Sequence, residues 1–230
     1  MRYDFVMMTI NEEDPDFFSR NIPIWNDALA PYKGKKDLRF VEVGSLYGRS
    51  AAWLLTNILT DPSSTLMCID LFAQSYESLA YCRLLDLIEL SLRIPGKDRF
   101  DRQFDERMAT IGATKRVIKR MEDSETALRS LPLASYDCVY VDGSHSSRNV
   151  LTDLVLSWGI LKMGGLLIID DYTLDLFKDN PLKNPIIGIN AFLSVFRDEY
   201  ETVYSGPQVI LRKTAHKDDV WRTKSARSAP

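Results

Sequence analysis

Apolar positions along this chain follow two alternating patterns. Short, nearly continuous apolar runs end on an acid or a glycine, and longer stretches between them have helical spacing. RFVEVG (39–44) is a run that enters glycine, and Arg49 to Leu59 then has helical spacing. TLMCID (65–70) is a second run, ending on an acid. YESLAYCRLLDLIELSL (76–92) predicts an amphipathic helix with Leu79, Leu84, Leu85, Leu87 and Ile88 inward, and 100–111 predicts another helix. RVIKRM (116–121) is a weaker strand pattern. YDCVYVD (136–142) is a strand ending on an acid, Val150 to Leu161 is helical, and GLLIIDD (165–171) is a strand ending on two acids. Residues 188–198 are helical, and ETVYSGPQVILRK (201–213) predicts two strands around a Ser-Gly-Pro turn.

Strands alternating with helices predict an α/β, Rossmann-like doubly wound and mostly parallel sheet. Continuous apolar strands fit a sheet covered on both faces. The last two strands, with no helix between them, predict an antiparallel hairpin at one edge. Residues 1–38 mix acids and aromatics with Pro15, Pro23 and Pro31, and read as a helical or irregular cap. The main domain is then 39–213, with 76–112 as a helical insertion or lid, and 214–230 is a frayed tail.

The strand ends carry the candidate chemistry. Glu42 with Gly44, then Asp70, Asp142, and the pair Asp170 and Asp171 all fall where strands finish. Ligands of open α/β sheets bind outside those carboxyl ends, so the five acids are expected to converge on one crevice. Glu42 to Ser50 reads E-V-G-S-L-Y-G-R-S between a strand and a helix. Gly44 permits a tight turn, and Gly48 lets the backbone approach a ligand. Ser45 and Ser50 belong to the same candidate cofactor cradle. The spacing is G-x-x-x-G, not the dinucleotide G-x-G-x-x-G. Asp70 is placed either to accept from ribose hydroxyls or to cap a helix. Asp123 and Ser124 either meet an adenine edge or cap a helix.

Composition sets the class. The chain has 230 residues, 45% apolar and 27% charged, which suits one large globular domain with a core of its own. The net charge is −3, and the last 19 residues hold six basic and two acidic side chains, so residues 1–211 carry 23 basic against 30 acidic. That acidic body argues against nucleic-acid partners, which need clustered Lys and Arg. Cys68, Cys82 and Cys138 form no C-x-x-C pair and fit free thiols in a reducing compartment. With no signal-peptide layout and no apolar run of ~18 residues, the expectation is a cytoplasmic protein with no membrane partner.

Three motifs together carry a resemblance. E-V-G-S-x-x-G-R-S, the strand ending in Asp70, and Y-D-C-V-Y-V-D-G-S-H followed by L-K-M-G-G-L-L-I-I-D-D-Y resemble the class I S-adenosylmethionine-dependent methyltransferases. Over residues 39–213 the chain is most similar to their small-molecule O-methyltransferases, the branch of catechol, caffeoyl-CoA and macrolide-sugar enzymes. The resemblance implies a seven-stranded sheet with a reversed last strand. It also implies Glu42, Gly44 and Gly48 around the methionine end of the cofactor, and Asp70 on its ribose. Relatives are often dimers, which leaves a homodimer open. A nicotinamide dehydrogenase would share the glycine turn and Asp70, but the G-x-x-x-G spacing and the cluster of acids disfavour it. A degenerate, non-catalytic copy of the fold would be expected to have lost the turn or the acids, and both are intact.

Asp142, Asp170 and Asp171 end neighbouring strands ~4.8 Å apart. Carboxylates that close repel unless a cation intervenes, and an all-oxygen set selects magnesium, calcium or manganese. The resemblance implies, for metal-dependent members, an acid at the first position and an acidic-amide or acidic-acidic pair at the second, which Asp142, Asp170 and Asp171 match, so Mg2+ is expected there. His145 lies three residues past Asp142, before a helix. An imidazole titrates near ~6.5 and can take a proton from a hydroxyl at neutral pH. The similar sugar O-methyltransferases use a histidine in this D-x-x-H position as base; the alternative is a helix cap. The expected chemistry is methyl transfer from S-adenosylmethionine to a hydroxyl or carboxylate oxygen of a small-molecule acceptor, with His145 and Asp142 as catalytic residues. Asp142 is also counted among the residues that hold the cofactor. Without metal or base, the alternative is a carboxyl or hydroxyl methyltransferase that works by proximity. Candidate acceptor walls are Phe17, Phe18, Ile22, Trp25, Tyr47 and Tyr172 with the 173–187 loop, or else those aromatics are ordinary core.

Overall fold

The computed structural model describes residues 16–72, 99–175 and 177–215. The helix expected at 76–92, Cys82, most of the 76–112 insertion before 99, and the tail from 216 lie outside the described residues.

Seven strands form one sheet in the order β3-β2-β1-β4-β5-β7-β6. They are β1 (Arg39–Val43), β2 (Thr65–Asp70), β3 (Val117–Met121), β4 (Tyr136–Val141), β5 (Leu161–Ile169), β6 (Tyr200–Ser205) and β7 (Val209–Lys213). The first five pair in parallel, while β7 runs antiparallel to both β5 and β6. The expected doubly wound, mostly parallel seven-stranded sheet with an antiparallel edge hairpin is what is observed. Its order reverses direction between β1 and β4, the switch point at which such sheets open a ligand crevice.

Six helices accompany the strands among the described residues: α1 (Ile22–Ala28), α2 (Arg49–Asn57), α3 (Arg99–Thr110), α4 (Ser124–Arg129), α5 (Ser147–Ile160) and α6 (Ile186–Val195). Sequence patterning placed most of these within a few residues. It began α5 at Val150, whereas Ser146 caps it by accepting from the Asn149 amide. The short α4 carries little periodicity and had shown itself only as a candidate cap.

Strand residues alternate between two cores. Phe40, Cys68, Cys138, Tyr140, Ile168 and Ile210 face α1, α2 and α3, around Trp25, Leu54 and Phe104. Val41, Ile69, Val139, Val141, Leu167 and Leu211 face α4, α5 and α6, around Leu154, Trp158 and Phe192. Burial on both faces explains why the strands read as unbroken apolar runs. The same period of two places Glu42, Tyr140, Asp142 and Asp170 on the first face, at its carboxyl end.

Candidate active site

The glycine turn follows β1. Gly44 has φ +85°, and a Cβ there would stand 1.9 Å from the Asp142 carbonyl oxygen. Gly48, with φ +76°, is the left-handed N-cap of α2, and its Cβ would stand 2.6 Å from the Phe104 ring of α3. Both glycines are therefore required by the protein's own packing. At Gly48, α3 fills the side on which a Cβ would stand. Arg107 of α3 donates from Nε to the Tyr47 carbonyl at 2.9 Å, and Phe100 packs edge-on against the Tyr47 ring.

Asp70 anchors this turn. Its Oδ2 accepts from the backbone amides of Ser45 and Leu46, both at 2.8 Å, and its Oδ1 from Phe72 at 2.6 Å. The chain needs that anchor because Leu46 and Phe72 both adopt positive φ. Sequence reasoning assigned Asp70 to ribose or a cap and missed this role, because nothing in the sequence shows where an amide points.

Glu42 is wholly buried on β1. Ser45 Oγ donates to its Oε2 at 2.6 Å, and the Cys68 thiol lies at 3.6 Å. Ser50 faces it from the first turn of α2. Oε1 has no hydrogen-bond partner among the described residues. Burial pushes this carboxyl up to about 7, against the pull of its hydroxyl and thiol neighbours. An unpartnered buried carboxylate oxygen is costly, and a cationic ligand group would relieve it. The ammonium of S-adenosylmethionine fits this donor set.

Asp123 is the N-cap of α4, its Oδ1 accepting from the Thr126 amide at 2.9 Å, so of the two expectations the structure shows the cap. Asp153, a buried acid on α5, is held at about 6 by burial against the pull of the Ser124 hydroxyl, and its Oδ2 lacks a partner among the described residues.

Across the switch point, Asp142, His145, Asp170 and Asp171 do converge. His145 Nε2 lies 3.0 Å from Asp171 Oδ2, and Arg20 Nη2 is 3.9 Å from Asp171 Oδ1. Asp171 has φ +59°, a conformation that Asp tolerates better than most residues. Asp170 differs from the expectation. Its Oδ2 accepts from Tyr140 Oη at 2.5 Å, Gln208 Nε2 at 2.8 Å and Asn21 Nδ2 at 3.2 Å, and its Oδ1 accepts from the Asp171 amide at 2.8 Å. Tyr140 Oη also lies 2.7 Å from Asp142 Oδ2. Burial and the neighbouring carboxylates push the carboxyls of Asp142 and Asp170 up.

This arrangement corrects the three-carboxylate metal cage. A phenol sits where an ion shared by Asp142 and Asp170 would sit, and both oxygens of Asp170 serve protein donors. Among the described residues no group of three or more His, Cys, Asp or Glu is arranged to hold a metal ion. The donor set does not fit Mg2+ held by all three acids.

The acceptor walls also change. Trp25 is fully buried, packs on Phe18 and Tyr140, and donates from Nε1 to Gln208 Oε1 at 2.9 Å. Tyr47 is buried under α3. Both are core residues, not walls. Tyr172 stays half-buried at the crevice, with its hydroxyl 3.0 Å from Asn190 Oδ1. Tyr140, Asn21 and Gln208 were missed; strand period two was the signal that could have found Tyr140.

A seven-stranded sheet with an antiparallel β7, a glycine turn after β1, an acid at the end of β2 and a crevice at the β1/β4 switch point fit a methyltransferase fold. The methyltransferase-domain family matches residues 41–172, more than half of the chain, and the chain belongs to that family. A comparison with curated proteins gives no match. Among solved structures, the chain is similar to the O-methyltransferase TomG of Streptomyces achromogenes, involved in tomaymycin synthesis and solved with S-adenosylmethionine. Identity is 15%, coverage is 84% of this chain and 80% of that one, and the TM-score is 0.59. An O-methyltransferase from Bacillus cereus, in complex with S-adenosylhomocysteine, shares 12% identity over 89% of this chain and 84% of its own, with a TM-score of 0.57. An rRNA methylase from Streptococcus thermophilus shares 14% over 87% of this chain and all of its own, with a TM-score of 0.53. At such identities the likeness shows the fold, and that fold serves acceptors of very different size. No helix among the described residues is long and apolar enough to cross a membrane.

Proposed function

We propose that this chain transfers a methyl group from S-adenosylmethionine to an oxygen of a small-molecule acceptor, with His145 as general base. The observation that carries this is the His145–Asp171 pair at 3.0 Å, beside Asp142 and across the switch point from the orphaned Glu42 oxygen. Bound S-adenosylmethionine supplies an activated methyl on a sulfonium, so no covalent enzyme intermediate is needed.

The chain's own residues do the rest. The 44–48 turn and Glu42 hold the methionine end, and Asp70 keeps the turn in shape while offering its remaining lone pair toward the ribose. Asp171, 3.0 Å from His145 Nε2, orients the imidazole. The imidazole takes the acceptor's hydroxyl proton, and Asp142 and Asp171 stabilise the imidazolium that forms. The site must also hold the acceptor oxygen ~3 Å from the methyl carbon and in line with the breaking bond.

The proposal routes no step through Mg2+. Asp142 and Asp171 are the acids not tied up by Asn21 and Gln208, and a chelator experiment decides whether they take an ion. The net acidic body, 23 basic against 30 acidic residues over 1–211, favours a small acceptor over RNA.

The test is transfer of labelled methyl from S-adenosylmethionine to panels of catechols, sugars and carboxylic acids, each with magnesium and with EDTA. Labelled product in both buffers is expected. Absence of S-adenosylhomocysteine binding together with absence of transfer would overturn the proposal. Transfer confined to carboxylic acids and undiminished in His145→Ala would replace the base mechanism with proximity alone.

A further inference from the structure

Asp142 enters the crevice with a fixed backbone. Its amide donates to the Val43 carbonyl at 2.8 Å, and its own carbonyl closes over Gly44. Only the side-chain torsions stay free, and Tyr140 meets them two residues earlier on the same face of β4. A buried tyrosine hydroxyl needs one partner, and one acceptor suffices. Here the hydroxyl oxygen stands between two carboxylates, 2.7 Å from Asp142 and 2.5 Å from Asp170.

Asp170 is itself immobilised from the far side. Gln208, wholly buried in the turn between β6 and β7, donates to it at 2.8 Å and accepts from the Trp25 indole at 2.9 Å. Asn21, buried just before α1, donates to it at 3.2 Å. Trp25 in turn stacks edge-on against the Tyr140 ring, with centroids 4.8 Å apart. One hydrogen-bonded chain therefore runs from the N-terminal helix through the edge hairpin to the acid beside His145.

We infer that Tyr140 and Gln208 are positioning residues of the methyl-transfer centre: they hold Asp170 as a buried strut and, through the Tyr140 hydroxyl, aim Asp142 at His145. The working groups of the crevice are then Asp142, His145 and Asp171, and Asp170 serves the geometry alone. The inference rests on the proposed function for its kinetic consequence but not for its geometric one.

Tyr140→Phe removes one oxygen and keeps the ring against Trp25. The parent and this variant are compared in acceptor turnover, in calorimetric affinity for S-adenosylhomocysteine, and in the imidazole carbon-proton NMR resonances. The chain has two histidines, so His145 gives one of only two such sets of signals. The expected result is a kcat lower by about 10- to 10²-fold, the loss that a misplacement of ~1 Å produces, with acceptor KM and cofactor affinity each changed by less than about threefold. The His145 resonance is expected to move while that of His216 does not. Gln208→Met, similar in length but without the amide, should repeat the kcat loss and serves as the second variant.

A Tyr140→Phe enzyme with kcat within about twofold of the parent and an unmoved His145 resonance overturns the inference. So does a kcat loss matched by an equal loss of cofactor affinity, which would mean general damage to the site. A parent that neither binds S-adenosylhomocysteine nor transfers methyl fails the proposed function instead, and the His145 resonance still tests the network.

Discussion

The two sides of the crevice are built by different means. On the β1–β2 side the backbone makes the site: two left-handed glycines, four-residue spacing, and amides gathered onto Asp70. On the β4–β5 side the side chains make it: a phenol, two carboxamides and three carboxylates, drawn from residues as far apart as Asn21 and Gln208. Backbone-built sites show in sequence because glycine and acid spacing report φ and turn geometry locally. Sites built by side chains across 149 residues of chain do not, because contact depends on the finished fold.

The largest effect should break the side-chain half alone. His145→Ala is expected to lose about 10²- to 10⁴-fold in turnover, the usual contribution of a general base, with S-adenosylhomocysteine affinity unchanged in calorimetry. Equal loss of affinity would show that the two halves are not separable.

Next is the backbone half. Gly44→Ala puts a methyl 1.9 Å from the Asp142 oxygen at φ +85°, a conformation that alone costs ~1–2 kcal/mol. The turn and β4 must part, so cofactor affinity and turnover should fall together by about 10²-fold or more, with a lower melting temperature. An affinity like that of the parent would contradict the close approach of the turn to Asp142.

A pH experiment sharpens the contrast further. Glu42 has its carboxyl raised from 4.5 to about 7, and Asp153 from 3.8 to about 6. Between the unfolded and folded values the folded state holds the extra protons. Stability is therefore greatest at the acid end of this window and is lost as pH rises through it, at up to ~1.4 kcal/mol per unit for each group. Denaturant unfolding across about pH 4 to 8 should show this decline in the ligand-free protein, and Glu42→Gln should flatten it toward pH 7. Cofactor binding near pH 6.5 should release protons from Glu42, visible as a dependence of the calorimetric heat on the buffer.

The smallest effect belongs to the cap of α4. Asp123→Ala removes the cap of α4 and should cost ~1 kcal/mol of stability, read from denaturant unfolding. Cofactor affinity should change by less than about threefold; a larger change would return Asp123 to the cofactor site.

These contrasts explain what was legible. The strands and their burial on both faces followed from unbroken apolar runs, since two covered faces leave no polar alternation. The acids at strand ends located the crevice. The reasons for individual residues were less legible. Gly48 is glycine because of Phe104, a residue 56 positions on, and Trp25 is aromatic because Gln208 and Tyr140 enclose it. Asp170 looked like a metal ligand because it ends a strand beside Asp142 and precedes Asp171; its hydrogen-bond partners in space include a phenol and two side-chain amides.

The most direct measurement is calorimetric titration of S-adenosylhomocysteine into the parent protein and into His145→Ala, in magnesium and again in EDTA. The account predicts a one-to-one complex of like affinity in all four titrations, because the cofactor half stands without the base and without the ion. Absence of binding by the parent in either buffer, or binding only with magnesium, would contradict it.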